Sequence, residues 1–386
     1  NHDDVNEEWI SDKTRFVWDG LRLQRLDRPY IRKNGKLCEV EWDEALENAV
    51  KNIKGKSFTG LAGDLANSES IYALKKITER LSGKFECRTD GAALLVHDRS
   101  GYIGNALISD IDEAGSILLI GTNPRVESPV LNARIRKAWL SGADIKMIGE
   151  EADLTYPYEL LGKDHGALEN LLCKNLDQLK SQKDSGIIIL GQGALMGKTG
   201  KAVLQRVKKL AELSGFKLLI LHVAASRVGA MDLGFVSEGG ISDALIDAEV
   251  IFNLGVDEID LPADAFKIYQ GSHGDRGALN ADIIFPSACY TEESGIFVNT
   301  EGRPQMAARA NAAPGKAKEN WAILRAVSEK LGSPLPFNSI QELRLSLFKE
   351  FPTFGKLNII EKSEWKKSSG KKLKSNLIFK NYFKNF

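Results

Sequence analysis

Several groupings of residues in this chain have types and spacings that could do chemistry. The stretch "GIIILGQGALMGKTGK" (186–201) runs from an apolar segment into glycines and then Gly197-Lys198-Thr199, the ingredients of a phosphate loop. Such a loop needs G-x-x-x-x-G-K-[ST], so that backbone N–H groups curl around a phosphate with the lysine beside it. Counting back from Gly197 places the required glycine at Gln192, and the available Gly191 comes one residue too early. The dinucleotide fingerprint G-x-G-x-x-G fails by the same margin: Gly191 and Gly193 fit, but Met196 stands where the last glycine belongs. No clean apolar strand ends in the Asp that a magnesium-side partner would require. The spacing therefore predicts a glycine-rich strand-to-helix turn, with Lys198 and Thr199 at a helix start.

The remaining groupings are weaker. "GSHGDRGALNADIIFP" brings His273 near Asp275, as acid–base chemistry would require, yet its density of turn residues predicts a tight loop before a strand. "TEESGIFVNTEGRPQ" sets Glu292 beside Glu293 in a polar loop, and nothing in the sequence makes them share a proton. The cysteines (Cys38, Cys87, Cys173, Cys289) are far apart, with no C-x-x-C pair to ligate zinc or an iron–sulfur cluster. Two disulfides are possible, but without a secretory signal reduced thiols are the expectation. His2, His97, His165, His222 and His273 are equally scattered, and neither H-x-x-x-H nor H-E-x-x-H occurs. There is no G-x-S-x-G elbow.

The elements that must position these residues follow one rhythm. Candidate strands are "FTGLAG" (58–63), "SILLIG" (116–121), "DIKMIG" (144–149), "GIIIL" (186–190), "KLLILH" (217–222), "EVIFNLG" (249–255), "FKIYQG" (266–271) and "DIIFP" (282–286). Several are unbroken in Ile, Leu and Val, as strands covered on both faces require. Between them run helical patterns at 42–53, 68–81, 129–140 and 200–213; in the second, Ile71, Leu74, Ile77 and Leu81 mark one face and Ser68 is a candidate N-cap. Strands spaced by such helices mean βαβ units, parallel sheet and an α/β fold. The first 40 residues, dense in charge and aromatics, read as an irregular segment. Residues 356–386 hold nine lysines, two glutamates and no aspartate, and read as a solvated, partly disordered tail, with docking on an acidic partner as the alternative.

Bulk properties narrow the partners. Lys+Arg and Asp+Glu both number 52, leaving no global field to attract nucleic acid or an anionic membrane. No apolar run approaches the ~18 residues of a spanning helix. The chain opens "NHDDVNEEW" without Met, acidic where a transit peptide is basic, so the expectation is a piece of a longer chain.

Read in order, "VNEEWISDKTRFVWDGLRLQRLDRPYIR", "GTNPRVESPVLNARIRKAWL", "DLTYPYELLG" and "YQGSHGDRGALNADIIFPSACYTEESGIFVNTEGRPQ" resemble the large iron–sulfur subunit of respiratory complex I. The resemblance runs from residue 4 to about 345. It implies an electron-transfer subunit of NADH:quinone oxidoreductase, with [2Fe–2S] and [4Fe–4S] clusters in the full-length chain, held by segments that precede the match. A more distant resemblance, to molybdopterin oxidoreductases such as formate dehydrogenases, implies the fold: a molybdopterin-oxidoreductase-like body of mainly parallel sheets flanked by helices. There a thiolate or selenolate ligates molybdenum at a set distance before a G-x-N-P strand end. Cys87 stands at that distance before the Gly121 of "GTNP", but Arg88 follows where those enzymes carry a catalytic His.

The expectation is a non-catalytic scaffold, with no catalytic, cofactor-binding or metal residue in these 386 positions. Its partners would be other complex I subunits, with no nucleic acid and no membrane span of its own. It would lie peripherally on the energy-transducing membrane, on the cytoplasmic side in bacteria or the matrix side in mitochondria. The expected layout is an irregular connecting segment at 1–56 and an α/β region at 57–345, in which about 86–160 is inserted between 57–85 and 185–345. A lysine-rich tail follows at 346–386. The rivals are an active molybdenum or tungsten oxidoreductase using Cys87, and a nucleotide switch using Lys198.

Overall fold

The apolar runs are strands, and their continuity reflects what covers them. The computed structural model describes residues 2–174, 176–179, 185–368, 372–373 and 377–382. In chain order the strands are β1 (Tyr30–Lys33), β2 (Lys36–Glu39), β3 (Phe58–Ala62), β4 (Lys84–Glu86), β5 (Ser116–Ile120), β6 (Asp144–Ile148), β7 (Glu159–Gly162), β8 (Gly186–Leu190), β9 (Lys217–Ile220), β10 (Val250–Leu254), β11 (Phe266–Gly271), β12 (Ile283–Pro286), β13 (Gly295–Val298) and β14 (Pro304–Ala307). Seven form one sheet in the order β2-β1-β12-β11-β10-β3-β4, five a second in the order β7-β6-β5-β8-β9, and β13 and β14 a hairpin. Pairing is parallel across the smaller sheet and from β12 to β4 in the larger. β1 pairs antiparallel with both β12 and β2 at one edge.

Successive strand side chains point to opposite faces, so a strand buried on both sides needs an apolar residue at every position. In β5, Ile117 and Leu119 enter one buried cluster while Leu118 and Ile120 enter another, and β8 divides Ile187 and Ile189 from Ile188 and Leu190 in the same way. Helix Pro129–Leu140 covers the first face with Leu131 and Ile135, and helix Gly200–Ser214 covers the second with Val203, Leu204 and Val207. Each such side chain stabilises the fold by roughly 1.5–3 kcal/mol through burial. Helices Trp42–Ile53 and Ser68–Arg80 pack Ala45, Ala49, Ile71, Leu74 and Ile77 into the larger core cluster.

The structure departs from the sequence reading in five places. The cap of the second helix is Asn67, whose side chain accepts the Ser70 N–H at 2.9 Å, while Ser68 is already helical. The supposedly irregular first segment contains the β1–β2 hairpin, closed by Asn34 and Gly35 at φ 52° and 78°. The inserted sheet extends past residue 160, because β8 pairs with β5 and β9 with β8 rather than either joining β10 to β12. The described part of the tail is not a solvated appendage: Phe379, Asn381 and Tyr382 are buried. Strand ends also fall short of Gly121 and Gly255, whose φ of +56° and +68° turn the chain out of the sheet. Among the described residues no helix is long and apolar enough to cross a membrane.

Candidate functional site

In an open parallel sheet, ligands bind beyond the carboxyl ends of strands where the order of connections reverses. Each sheet here has one such point. In the smaller, β5 and β8 are neighbours while β6 continues to one side and β9 to the other; in the larger, β3 and β10 play the same part.

At the β5/β8 point the chain turns through Gly121 and through Gly191-Gln192-Gly193. A Cβ on Gly191 would stand 2.5 Å from the Gly121 carbonyl oxygen, and one on Gly193 would stand 1.9 Å from that of Lys380. The glycines of the suspected phosphate loop thus serve close backbone approach. Thr122 Oγ1 donates to Glu127 at 2.5 Å, and the Asn123 N–H donates to the same carboxylate at 3.0 Å. Lys198 is exposed and lies beyond the 3-10 turn Gln192–Leu195, and Thr199 precedes helix Gly200–Ser214 without capping it.

At the β3/β10 point a Cβ on Gly63 would stand 1.8 Å from the Gly255 carbonyl oxygen. A cavity of about 460 Å³ opens here, lined by Asp64, Asp257, His273, Asp275, Glu293 and Tyr382 among others. Burial pushes the Asp64 carboxyl up to about 6, although Arg227 pulls the other way. Burial also pushes Glu293 up to about 8, against the hydrogen bonds it accepts from the Asn320 N–H and side-chain amide. Gln270 Oε1 and Ser287 Oγ, also in residues of the cavity lining, are buried without a hydrogen-bond partner among the described residues.

The paired glutamates therefore separate. Glu292 takes both arms of the Arg25 guanidinium at 2.5 Å, whereas Glu293 accepts from Asn67 at 2.7 Å and from Asn320. His273 bonds Ser272 Oγ and the Gly20 carbonyl, and Asp275 accepts the Arg276 N–H at the start of a short helix. His273 is bridged to Arg25 and Asp275 caps that helix, and both border the cavity.

Cys87 directly follows β4. It is 1 % exposed, and burial, reinforced by Glu86, pushes its thiol far up. Its neighbours are already paired: Arg88 with Glu86 at 2.6 Å, and Arg227 with Asp90 at 3.1 Å, all four deeply buried. The Cys87 thiol is thus enclosed, and the charged groups around it are already engaged with one another. Among the described residues no group of three His, Cys, Asp or Glu is disposed to hold a metal ion. The residues present do not fit a molybdenum–pterin centre. Sequence spacing gave no signal of the Arg227–Asp90 pair or of Asp64, because residues from distant segments meet only at the strand ends.

The comparisons agree with this architecture. The Molybdopterin oxidoreductase family profile matches residues 25–330, and that of the NADH-ubiquinone oxidoreductase NDSU1/NuoG-like 4Fe-4S domain matches residues 1–19. The chain is 42 % identical over 383 residues to the mitochondrial NADH-ubiquinone oxidoreductase 78 kDa subunit of Neurospora crassa, covering 93 % of this chain and 51 % of that protein. It is 41 % identical over 381 residues to the mitochondrial 78 kDa subunit of Candida albicans, covering 93 % and 52 %. The chain thus spans about half the length of the curated relatives it matches. In fold it resembles a chain of the formyltransferase/hydrolase complex of Methylorubrum extorquens (TM-score 0.61, 16 % identity, 78 % of this chain and 98 % of that one). It also resembles acetylene hydratase of Pelobacter acetylenicus (TM-score 0.55, 12 % identity, 84 % and 64 %). The chain belongs to the molybdopterin oxidoreductase family, and its homologues there are the 75 and 78 kDa subunits of NADH-ubiquinone oxidoreductase.

Proposed function

We propose that this α/β body is a non-catalytic scaffold within a complex I subunit, backing a cluster-bearing part of the longer protein through which electrons pass from NADH toward quinone. The observation that carries the scaffold reading is Cys87: the one residue at the position of a molybdenum ligand is a buried thiol among completed ion pairs. The [2Fe–2S] and [4Fe–4S] clusters would belong to that other part, and no residue of this chain acts as catalytic, cofactor or metal ligand. Two features support a junction at the N-terminal segment. Residues 1–19 match the 4Fe-4S domain profile, and within them Trp9, Phe16 and Trp18 are 68 %, 65 % and 59 % exposed. Exposed aromatic residues clustered along one segment mark a surface built to be covered. The partners would be other complex I subunits, and the location peripheral on the cytoplasmic or matrix side of the energy-transducing membrane.

The test is to purify the full-length protein from its source with its native assembly. Co-purification with NADH:quinone reductase activity, and retention of that activity in Cys87→Ala, is the expected result. Molybdenum or tungsten at close to one per chain would overturn the scaffold reading in favour of a metal–pterin oxidoreductase.

A further inference from the structure

We propose that residues Leu377–Tyr382 are a built-in plug for the β5/β8 crevice, their main chain filling the place where a sheet of this topology receives a phosphate-bearing ligand. The segment enters as a short extra strand. The Leu377 carbonyl accepts the His165 N–H at 3.0 Å and the Phe379 N–H donates to the Lys163 carbonyl at 2.9 Å, forming an antiparallel bridge between Asp164 and Ile378. Alternation then does the sorting: Ile378 and Lys380 stay exposed, while Phe379 is 2 % exposed and packs on the His165 ring with centroids 4.8 Å apart.

Beyond Phe379 the plug reaches the turn that first resembled a phosphate loop. The Lys380 carbonyl passes so close to Gly193 that no side chain could stand there. Next, the Asn381 and Tyr382 N–H groups face the carboxylates of Glu150 and Glu127 at 3.4 and 3.3 Å. A phosphate site presents N–H donors to an anion. Around Asn381 and Tyr382 this crevice does the opposite: it presents carboxylate acceptors to peptide donors. Tyr382 continues into the lining of the second crevice, so the plug spans both.

Upstream contacts bring the segment there. Trp365 receives the Lys208 ammonium 4.6 Å from its ring centre, Ser368 bonds Glu212 and the Gln205 carbonyl at 2.7 Å each, and the Leu373 N–H donates to Glu169 at 2.9 Å. Trp365 and Ser368 thus lie along helix Gly200–Ser214, and Leu373 lies against Glu169 of helix His165–Lys174. This inference is built from strand topology and contacts, so its failure and that of the scaffold reading are separate results.

Amide hydrogen exchange on the full chain tests it. Unmodified protein should protect the Phe379 and His165 amides at least tenfold over free-peptide rates. Gly193→Val should bring both close to free-peptide rates while the β8 amides stay protected. Should Gly193→Val disturb β8 itself, Phe379→Ser, which leaves the glycine turn intact, should release the same two amides. Free-peptide exchange at Phe379 in the unmodified chain, or protection unchanged in Phe379→Ser, would overturn the plug.

Discussion

Arg134 and Glu7, 127 positions apart, meet at 3.0 Å with side chains only 4 % and 5 % exposed. The same guanidinium also donates to the carbonyls of Asp3, Asp4 and Asn6, so one side chain anchors the whole acidic opening of the chain onto helix Pro129–Leu140. Without Arg134 the Glu7 carboxylate keeps Lys137 at 2.9 Å, but the bonds from the guanidinium are lost, and a hydrogen bond to a charged group is worth about 1.5–3 kcal/mol. Arg134→Ala should therefore lower the urea midpoint, and protease should cut near Trp9 at concentrations that leave the unmodified chain intact.

Glu293 gives stability a pH dependence. Its folded value, about 8, lies above the ordinary 4.5, so the folded chain holds this proton more tightly than the unfolded one. The stabilisation is complete below about pH 4.5 and is lost as pH rises through 8, with a slope of at most about 1.4 kcal/mol per pH unit for one proton. Asp64, raised to about 6, works in the same direction over a narrower window. Denaturation at pH 5, 6.5 and 8 should show this decline, and Glu293→Gln should flatten it.

Gly63→Ala tests the closeness of the β3 and β10 ends. The new methyl would meet the Gly255 carbonyl at 1.8 Å, and overpacking of this kind costs about 1–3 kcal/mol. Gly20→Ala meets nothing within 4 Å, and its stability should change by no more than about 0.5 kcal/mol.

Thiol reactivity should follow burial. Cys173 is exposed, Cys38 intermediate, and Cys87 and Cys289 buried. A disulfide reagent added to native protein should label Cys173 at once and Cys38 more slowly, leaving the other two until denaturant is present. Rapid labelling of Cys87 in the native chain would contradict the environment described for it.

Lys198→Ala should change neither stability nor nucleotide binding. The side chain is solvent-exposed, and surface substitutions of this kind stay within about 0.5 kcal/mol. Calorimetric titration with a nucleoside triphosphate should give the same heats for both proteins.

What the sequence revealed follows from how each feature is encoded. Runs such as Ile187–Leu190 declare a strand buried on both faces, and the misfit of Gly191 and Gly193 with either nucleotide motif is a matter of counting. The β1–β2 hairpin was harder, since Arg32, Lys33 and Lys36 give its two strands no apolar alternation, although Asn34-Gly35 is a strong turn signal. Phe379 and Tyr382 were hidden by the lysines around them, because composition averages over the two positions that matter. The crevices were invisible for another reason. Asp64, Asp90, Arg227 and Glu293 come from four segments, and only the strand order brings them together.

That order also has a history written into it. All five strands of the smaller sheet come from one continuous stretch, Ser116 to Ile220, whereas β3 must wait for β10, and β1 for β12. Contacts closing such long loops form late, because the entropy of closure is spent before pairing returns it. The inner sheet is therefore the early-folding unit, and pulse-labelled exchange should find Ser116–Ile120 protected before Phe58–Ala62. During synthesis β3, which can pair early with β4, stays unpaired on its other side until the chain has grown past the whole inner unit and made β10. This is the interval in which the nascent chain is most exposed to misassembly.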